Sequence, residues 1–170
     1  KNIVLYGIMG LAVGDALGVP VEFESRENLR NNPVKGMMGY GTYNQPEGTW
    51  SDDTSLTLCL LEALIEREYK VTSLANKFVK WYEKSEYTAT GKMFDIGRST
   101  YDAINRIISG INPVDAGGKS EHDNGNGSLM RILPLAFYLK DEEDIEKRVE
   151  KIYEVSSITH GHMRSKIACH

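Results

Sequence analysis

At 170 residues, with 41% apolar and 26% charged side chains, the chain has the size and balance of one globular domain with a sizeable core. Lys+Arg number 20 against Asp+Glu 24, a formal net charge of −4, which argues against the broad basic patch of a nucleic-acid binder. No window reads as the ~18 consecutive apolar residues of a membrane span, and no secretory leader is legible.

Helical periodicity dominates. Residues 3–17 are apolar, with Gly10, Gly14 and Gly18 at four-residue spacing on one face, where a second backbone can come close. Gly18-Val19-Pro20 predicts the helix end. Residues 21–50 are turn-rich and read as one long irregular loop, of the kind that is usually functional. A second helix is expected after Ser51-Asp52-Asp53-Thr54, with Leu56, Cys59, Leu60, Ala63 and Leu64 as its buried stripe. A third opens at Thr72 and buries Leu74, Phe78 and Trp81. A fourth runs from about Asp95, with Ile96, Thr100, Ala103 and Ile104 on one side, and stops at Gly110. Residues 117–127 are polar and glycine-rich. Residues 129–139 read as a buried helix that Pro134 either kinks or starts. Asp141 is expected to cap a further helix with Ile145, Val149 and Ile152 inward, and a last helix begins near Met163. No period-2 strand and no internal repeat is found, so the class is all-α and the chain a single domain over 1–170.

Five short constellations are candidates for chemistry. Ser51-Asp52-Asp53-Thr54 concentrates hard oxygen donors where a glycine-rich loop turns into a helix. Adjacent carboxylates repel unless a cation lies between them, and Mg²⁺, Mn²⁺ or Ca²⁺ suits such ligands; an over-provided helix cap is the competing reading. Gly14-Asp15-Ala16-Leu17-Gly18-Val19-Pro20-Val21-Glu22 puts a carboxylate, Glu22, just past a helix end, where it either acts on a metal or water or is a solvated loop residue. Asp15 is expected to hold local backbone groups rather than to do chemistry. Asn124-Gly125-Asn126-Gly127-Ser128-Leu129-Met130-Arg131 can aim N–H groups at an anion from a helix N-terminus, or be an Asn-Gly surface turn. Asp95-Ile96-Gly97 is a second carboxylate site or another cap. His160, in Thr159-His160-Gly161-His162, is read as a contact to a substrate phosphate or ribose, or as an ordinary loop histidine. Cys59 and Cys169 lack zinc-finger partners, so a reducing, cytoplasmic setting is expected.

In this serial order, across residues 7–162, the five segments resemble the ADP-ribosylglycohydrolase family. The resemblance implies an all-α orthogonal bundle with two Mg²⁺ or Mn²⁺ ions in a central cleft. It implies cleavage of the glycosidic bond between the ribose of ADP-ribose and a modified side chain, arginine-linked substrates being favoured. Ser51, Asp52 and Asp53 match the family's first set of metal ligands, with Asp52 also near substrate. Glu22 and Asp95 match acidic residues at the scissile bond and ribose, in catalytic roles. Asn124, Gly125, Asn126, Gly127, Ser128, Leu129 and Met130 match the loop that holds diphosphate and ribose, and His160 a histidine at the phosphates. The partner implied is ADP-ribose or an ADP-ribosylated protein.

The family's second acidic ligand set, an Asp-x-Asp-Ser/Thr motif, is not found, and none of the residues after His162 is Asp or Glu. The chain starts at Lys1 without Met and stops at His170 in a stretch that reads as helix. It is therefore expected to be the N-terminal part of the domain, with the remaining ligands on a further segment or a second chain. The alternative is a non-catalytic ADP-ribose binder or crystallin-like structural member of the same fold.

Overall fold

A computed structural model describes residues 2–170. Nine α-helices lie among the described residues: α1 (Ile3–Gly18), α2 (Arg26–Asn31), α3 (Asp52–Ile65), α4 (Val71–Lys84), α5 (Arg98–Ile108), α6 (Pro113–Ala116), α7 (Leu133–Tyr138), α8 (Ile145–Ser157) and α9 (Met163–Ala168). Two isolated bridges, Tyr40–Gln45 and Gly118–His160, are the β-type pairings among these residues. The protein is all-α, as its periodicity predicts.

The core is built on α3. Its Leu56, Cys59, Leu60 and Ala63 are fully buried, and they meet Leu74, Phe78 and Trp81 of α4, Ile104 of α5, Leu135 of α7 and Val155 of α8. The helix forms because apolar residues at i, i+3, i+4 and i+7 follow a capped start. The Ser51 hydroxyl accepts from the Asp53 N–H, and Asp52 and Asp53 stand in the positive first turn. The helix ends with Glu66 already extended. α4 stops at Ser85 in the left-handed region. Gly110, at φ +96°, follows the end of α5, where a side chain would be strained.

Several expectations are corrected. The 21–50 segment contains the short helix α2, whose start is capped by the Ser25 hydroxyl on the Asn28 N–H. Asp95 is not a helix cap; Gly97 is, and α5 begins three residues after Asp95. Pro134 lies in the first turn of α7, where its missing N–H costs nothing, so the 129–139 segment is helical only from Leu133. The loop at 124–130 therefore does not run straight into a helix; it closes as a turn with Met130 N–H on the Asn126 carbonyl at 2.9 Å. Asp144 rather than Asp141 caps α8, accepting from Glu146 and Lys147, and Ile145 is exposed.

Residues Ile3–Val21 form a helical stretch that is, by length and a mean hydropathy of 1.7, long and apolar enough to cross a membrane. The sequence reading missed this because glycine and alanine dilute its apolar residues. In the fold the stretch packs against α3 and α7, with Gly7 against the Phe137 ring. Its one charged residue, Asp15, is spent on α3.

Candidate active site

Asp15 organises the site. Its carboxylate accepts from both N–H and hydroxyl of Ser51, at 3.0 and 2.7 Å, and from both N–H and hydroxyl of Thr54, at 3.0 and 2.6 Å. It thus serves as a second cap for α3, delivered from α1, and the Ser51 hydroxyl proton is committed to it. Asp15 was expected to hold local backbone groups; the backbone N–H groups it holds belong instead to Ser51 and Thr54, distant in sequence, and two hydroxyls are added to them.

A cleft of about 680 Å³ opens beside this joint. It is lined by Glu22, Ser51, Asp52, Asp53, Asp95, Asn126 and Met130, together with α1 backbone at Gly14 and Gly18. That volume lies in the ordinary range for a small-molecule site. The absent side chains of Gly14 and Gly18 matter here, because a Cβ on either would face open space. The 124–130 loop is divided between two faces. Asn126 and Met130 face the main cleft, while Asn124, Gly125, Asn126, Ser128 and Leu129 line a neighbouring hollow with Ser165 of α9. Gly127 and His160 lie beneath the loop: a Cβ on Gly127 would sit 2.6 Å from His160 Cε1, and the imidazole is almost wholly buried.

Glu22 is held by a loop-on-loop contact. Thr42 donates its hydroxyl to the Glu22 carbonyl at 2.7 Å. Gly41, at φ +61°, approaches Pro20 so closely that a Cβ would lie 2.0 Å from the Pro20 carbonyl oxygen. Only glycine permits that approach.

The electrostatics are those of crowded acids. Burial, then Asp95 and Asp53, push Asp52 up to about 7; the backbone N–H of Gly97 opposes this. Burial, then Asp15 and Glu22, push Asp53 up to about 6. Glu22 and Asp95 are both raised, chiefly by burial. None of the four has an ion-pair partner among the described residues. Uncompensated, mutually repelling oxygen donors are the chemistry a hard divalent cation satisfies. Yet among the described residues no group of three His, Cys, Asp or Glu side chains converges tightly enough to hold a metal ion. The donor set fits such a cation in kind and falls short of a metal site in number.

Two further residues at the site, Tyr43 behind the carboxylates and Arg98 on the cleft wall, have no counterpart in the sequence reading. Tyr43 stands near enough to Glu22 and Asp95 for its hydroxyl to oppose the rise of both, and its ring meets Phe94 in a tilted contact at 5.2 Å between centroids. Arg98, at the start of α5, adds a cation to the cleft wall. Neither carries a local motif; each reaches the site through the way its loop or helix end is docked.

A helical bundle with an acid-lined cleft between the ends of α1, α3 and α5 defines the class of protein. The family follows from comparison with known sequences: the ADP-ribosylglycohydrolase family pattern matches residues 2–170, and the chain belongs to that family. It is 35% identical over 136 residues to the ADP-ribosylarginine hydrolase Tri1 of Pseudomonas putida, covering 77% of this chain and 34% of that one. It is 31% identical over 169 residues to the ADP-ribosyl-[dinitrogen reductase] glycohydrolase of Rhodospirillum rubrum, covering 97% and 53%. A solved chain described as an ADP-ribosylglycohydrolase-related protein complex superposes with a TM-score of 0.80 at 31% identity, covering 98% of this chain and 52% of that one. The chain thus spans from a third to about half of the length of these relatives.

Proposed function

We propose that the protein is the N-terminal part of a metal-dependent ADP-ribosyl hydrolase that removes ADP-ribose from modified side chains, arginine-linked ones first. The observation that carries this reading is the meeting of Glu22, Asp52, Asp53 and Asp95, from three separate segments, around one cleft in a member of this family. The arginine preference rests on the two Tri1 relatives, from Pseudomonas putida and Serratia proteamaculans, described as ADP-ribosylarginine hydrolases.

In this reading Asn126 and the neighbouring loop amides hold the diphosphate, to which backbone donors are suited. Arg98 offsets its charge. Glu22 and Asp95, whose carboxyls burial raises above their ordinary values, would transfer the proton between water and leaving nitrogen. Ser51, Asp52 and Asp53 would hold Mg²⁺ or Mn²⁺, two ions in the complete site, and the metal would supply Lewis-acid polarisation and a hard anchor for ribose hydroxyls.

The rest of the ligand set belongs, in this proposal, to a segment corresponding to the unmatched half of the relatives, in the same chain or a second one. The exposed apolar side chains of Ile3, Tyr6, Met9 and Val13 along α1 support this, since an unpartnered stripe of that size marks a contact surface. The two cysteines are free and buried, which accords with a cytoplasmic setting.

The deciding experiment uses the chain completed by that segment. Release of ADP-ribose from ADP-ribosylarginine and ADP-ribosylserine peptides is measured with Mg²⁺ or Mn²⁺. Activity in the wild type and its loss in Asp52→Ala and Asp53→Ala are expected. Absence of turnover in the metal-loaded complete protein would overturn the hydrolase reading, and ADP-ribose binding without turnover would identify a binder instead.

A further inference from the structure

Arg131 is the one arginine in the chain that is completely buried, and no carboxylate pairs with it among the described residues. An ion placed so is costly unless its protons are taken up. Its donors go instead to neutral oxygens. One terminal nitrogen donates to the Gly127 carbonyl and, at 2.7 Å, to the Thr159 hydroxyl. The other donates to the Val155 carbonyl at 3.0 Å, in the last turn of α8, the negative end of that helix. The Phe78 ring covers the guanidinium at 4.9 Å, and Nε has no partner at all. Packing alone would be met more cheaply by methionine or leucine, so the retained charge calls for a role.

The oxygens it holds define that role. Gly127 lies within the 124–130 loop, packed on the His160 ring. The Thr159 oxygen, already accepting from Arg131, lies 2.8 Å from His160 Nδ1. With the Thr159 hydroxyl donating to Nδ1, the imidazole carries its proton on Nε2, on the side that faces Gly125 and Gly127: Cβ atoms built on these glycines would lie 3.6 and 3.2 Å from Nε2. Burial and the nearby guanidinium pull His160 down to about 4, against the opposing charge of Asp123, so the ring is a neutral donor at physiological pH.

We propose that Arg131 is a positioning residue for the diphosphate of ADP-ribose, locking the 124–130 loop and the Nε2–H tautomer of His160 into one anion-receiving arrangement through Gly127 and Thr159. This deepens the ADP-ribose reading above and rests on it for the identity of the ligand. The charge acts from behind the loop and never needs to touch the substrate.

The test uses Thr159→Val, which cuts the relay while leaving Arg131 in place, Thr159→Ser, which restores the hydroxyl, and Arg131→Lys and Arg131→Met. Imidazole ¹⁵N shifts of His160 report the tautomer without any ligand, and calorimetry in the complete, metal-loaded protein reports ADP-ribose affinity. The wild type and Thr159→Ser should show a single Nε2–H form. Thr159→Val should stay folded, with a melting temperature lowered by the loss of a buried acceptor of Arg131, show mixed tautomers and bind ADP-ribose roughly tenfold more weakly, the loss of one good hydrogen bond. Arg131→Lys should weaken binding in the same sense because an ammonium cannot span both oxygens. If Arg131→Met fails to fold, the threonine pair still decides. A folded Thr159→Val with wild-type tautomer and affinity would overturn the proposal. A wild type that binds no ADP-ribose would instead sink the ligand assignment, and the ligand-free ¹⁵N readout would still settle whether Arg131 and Thr159 position His160.

Discussion

Thr54 gives both its backbone N–H and its hydroxyl to one oxygen of Asp15, Oδ2, at 3.0 and 2.6 Å. An α1 side chain thereby caps α3 and fixes where Asp52 and Asp53 stand. Asp15→Ala would leave four donors unsatisfied at a half-buried joint. A loss of roughly 2–4 kcal/mol is expected, read as a fall in melting temperature of about 4–16 °C for a domain of this size. Asp15→Asn, which keeps one acceptor oxygen, should lose about half as much. Equal melting temperatures for wild type and Asp15→Ala would show that the joint is incidental.

Asp52 makes metal-free stability depend on pH. Its folded-state value, about 7, lies above the ordinary 3.8. The native state therefore holds the proton more tightly than the unfolded chain. The stability this gives is fully present below about pH 3.8 and is lost as pH rises through about 7. At pH 8 without metal, Asp52→Asn should be more stable than wild type, by roughly 2–4 kcal/mol from the size of the shift. Added Mn²⁺ should narrow that gap by stabilising only the wild type. Chemical denaturation at pH 5 and pH 8, with and without Mn²⁺, checks both signs.

The close approach at Gly41 ties the loop of Glu22 to the body of the protein. Gly41→Ala meets the Pro20 carbonyl oxygen and a positive φ at once, so the 39–48 turn must move. Because the contact is peripheral to the α3 core, the expected cost to stability is modest, about 1–2 kcal/mol. The expected cost to turnover is larger, since Glu22 is displaced by the same movement. Proteolysis localised to residues 21–48, together with reduced kcat at near-wild-type KM, would bear this out; unchanged kcat would refute it.

Much of this arrangement was legible in the residues. Leu56, Leu60, Phe78 and Ile104 fall on periodic faces and all reach the core, because a 3.6-residue repeat and burial are one constraint. Glu22, Asp52, Asp53 and Asp95 fall at element ends, and the fold gathers them at one cleft. What was not legible depends on contacts distant in sequence. Tyr43 lies in a loop without periodicity, and its place between Glu22 and Asp95 comes from the Gly41–Pro20 contact. Asp95 misled as a cap because acidic residues before a helix are common caps, whereas here Gly97 takes that position. The loop at 124–130 was expected to open a helix, but Pro134 sets the start of α7 later. α1 was legible as an apolar helix ending at Gly18, but its membrane-spanning length and hydropathy were not, because its glycines interrupt the apolar run.

Tyr43 offers a test of how the two acids are tuned. Its hydroxyl lowers both Glu22 and Asp95 against the burial that raises them. Tyr43→Phe removes that opposition while keeping the ring against Phe94, so both carboxyls should rise further. In the completed enzyme, a limb of the pH–rate profile that requires an ionised Glu22 or Asp95 should move to higher pH, and activity just above the wild-type limb should fall by up to about tenfold for each unit moved. Activity well above both limbs should be nearly unchanged, because the carboxylates are then ionised in either protein. A uniform loss across the whole pH range would instead mean that the hydroxyl acts by contact with substrate rather than by tuning its two acidic neighbours.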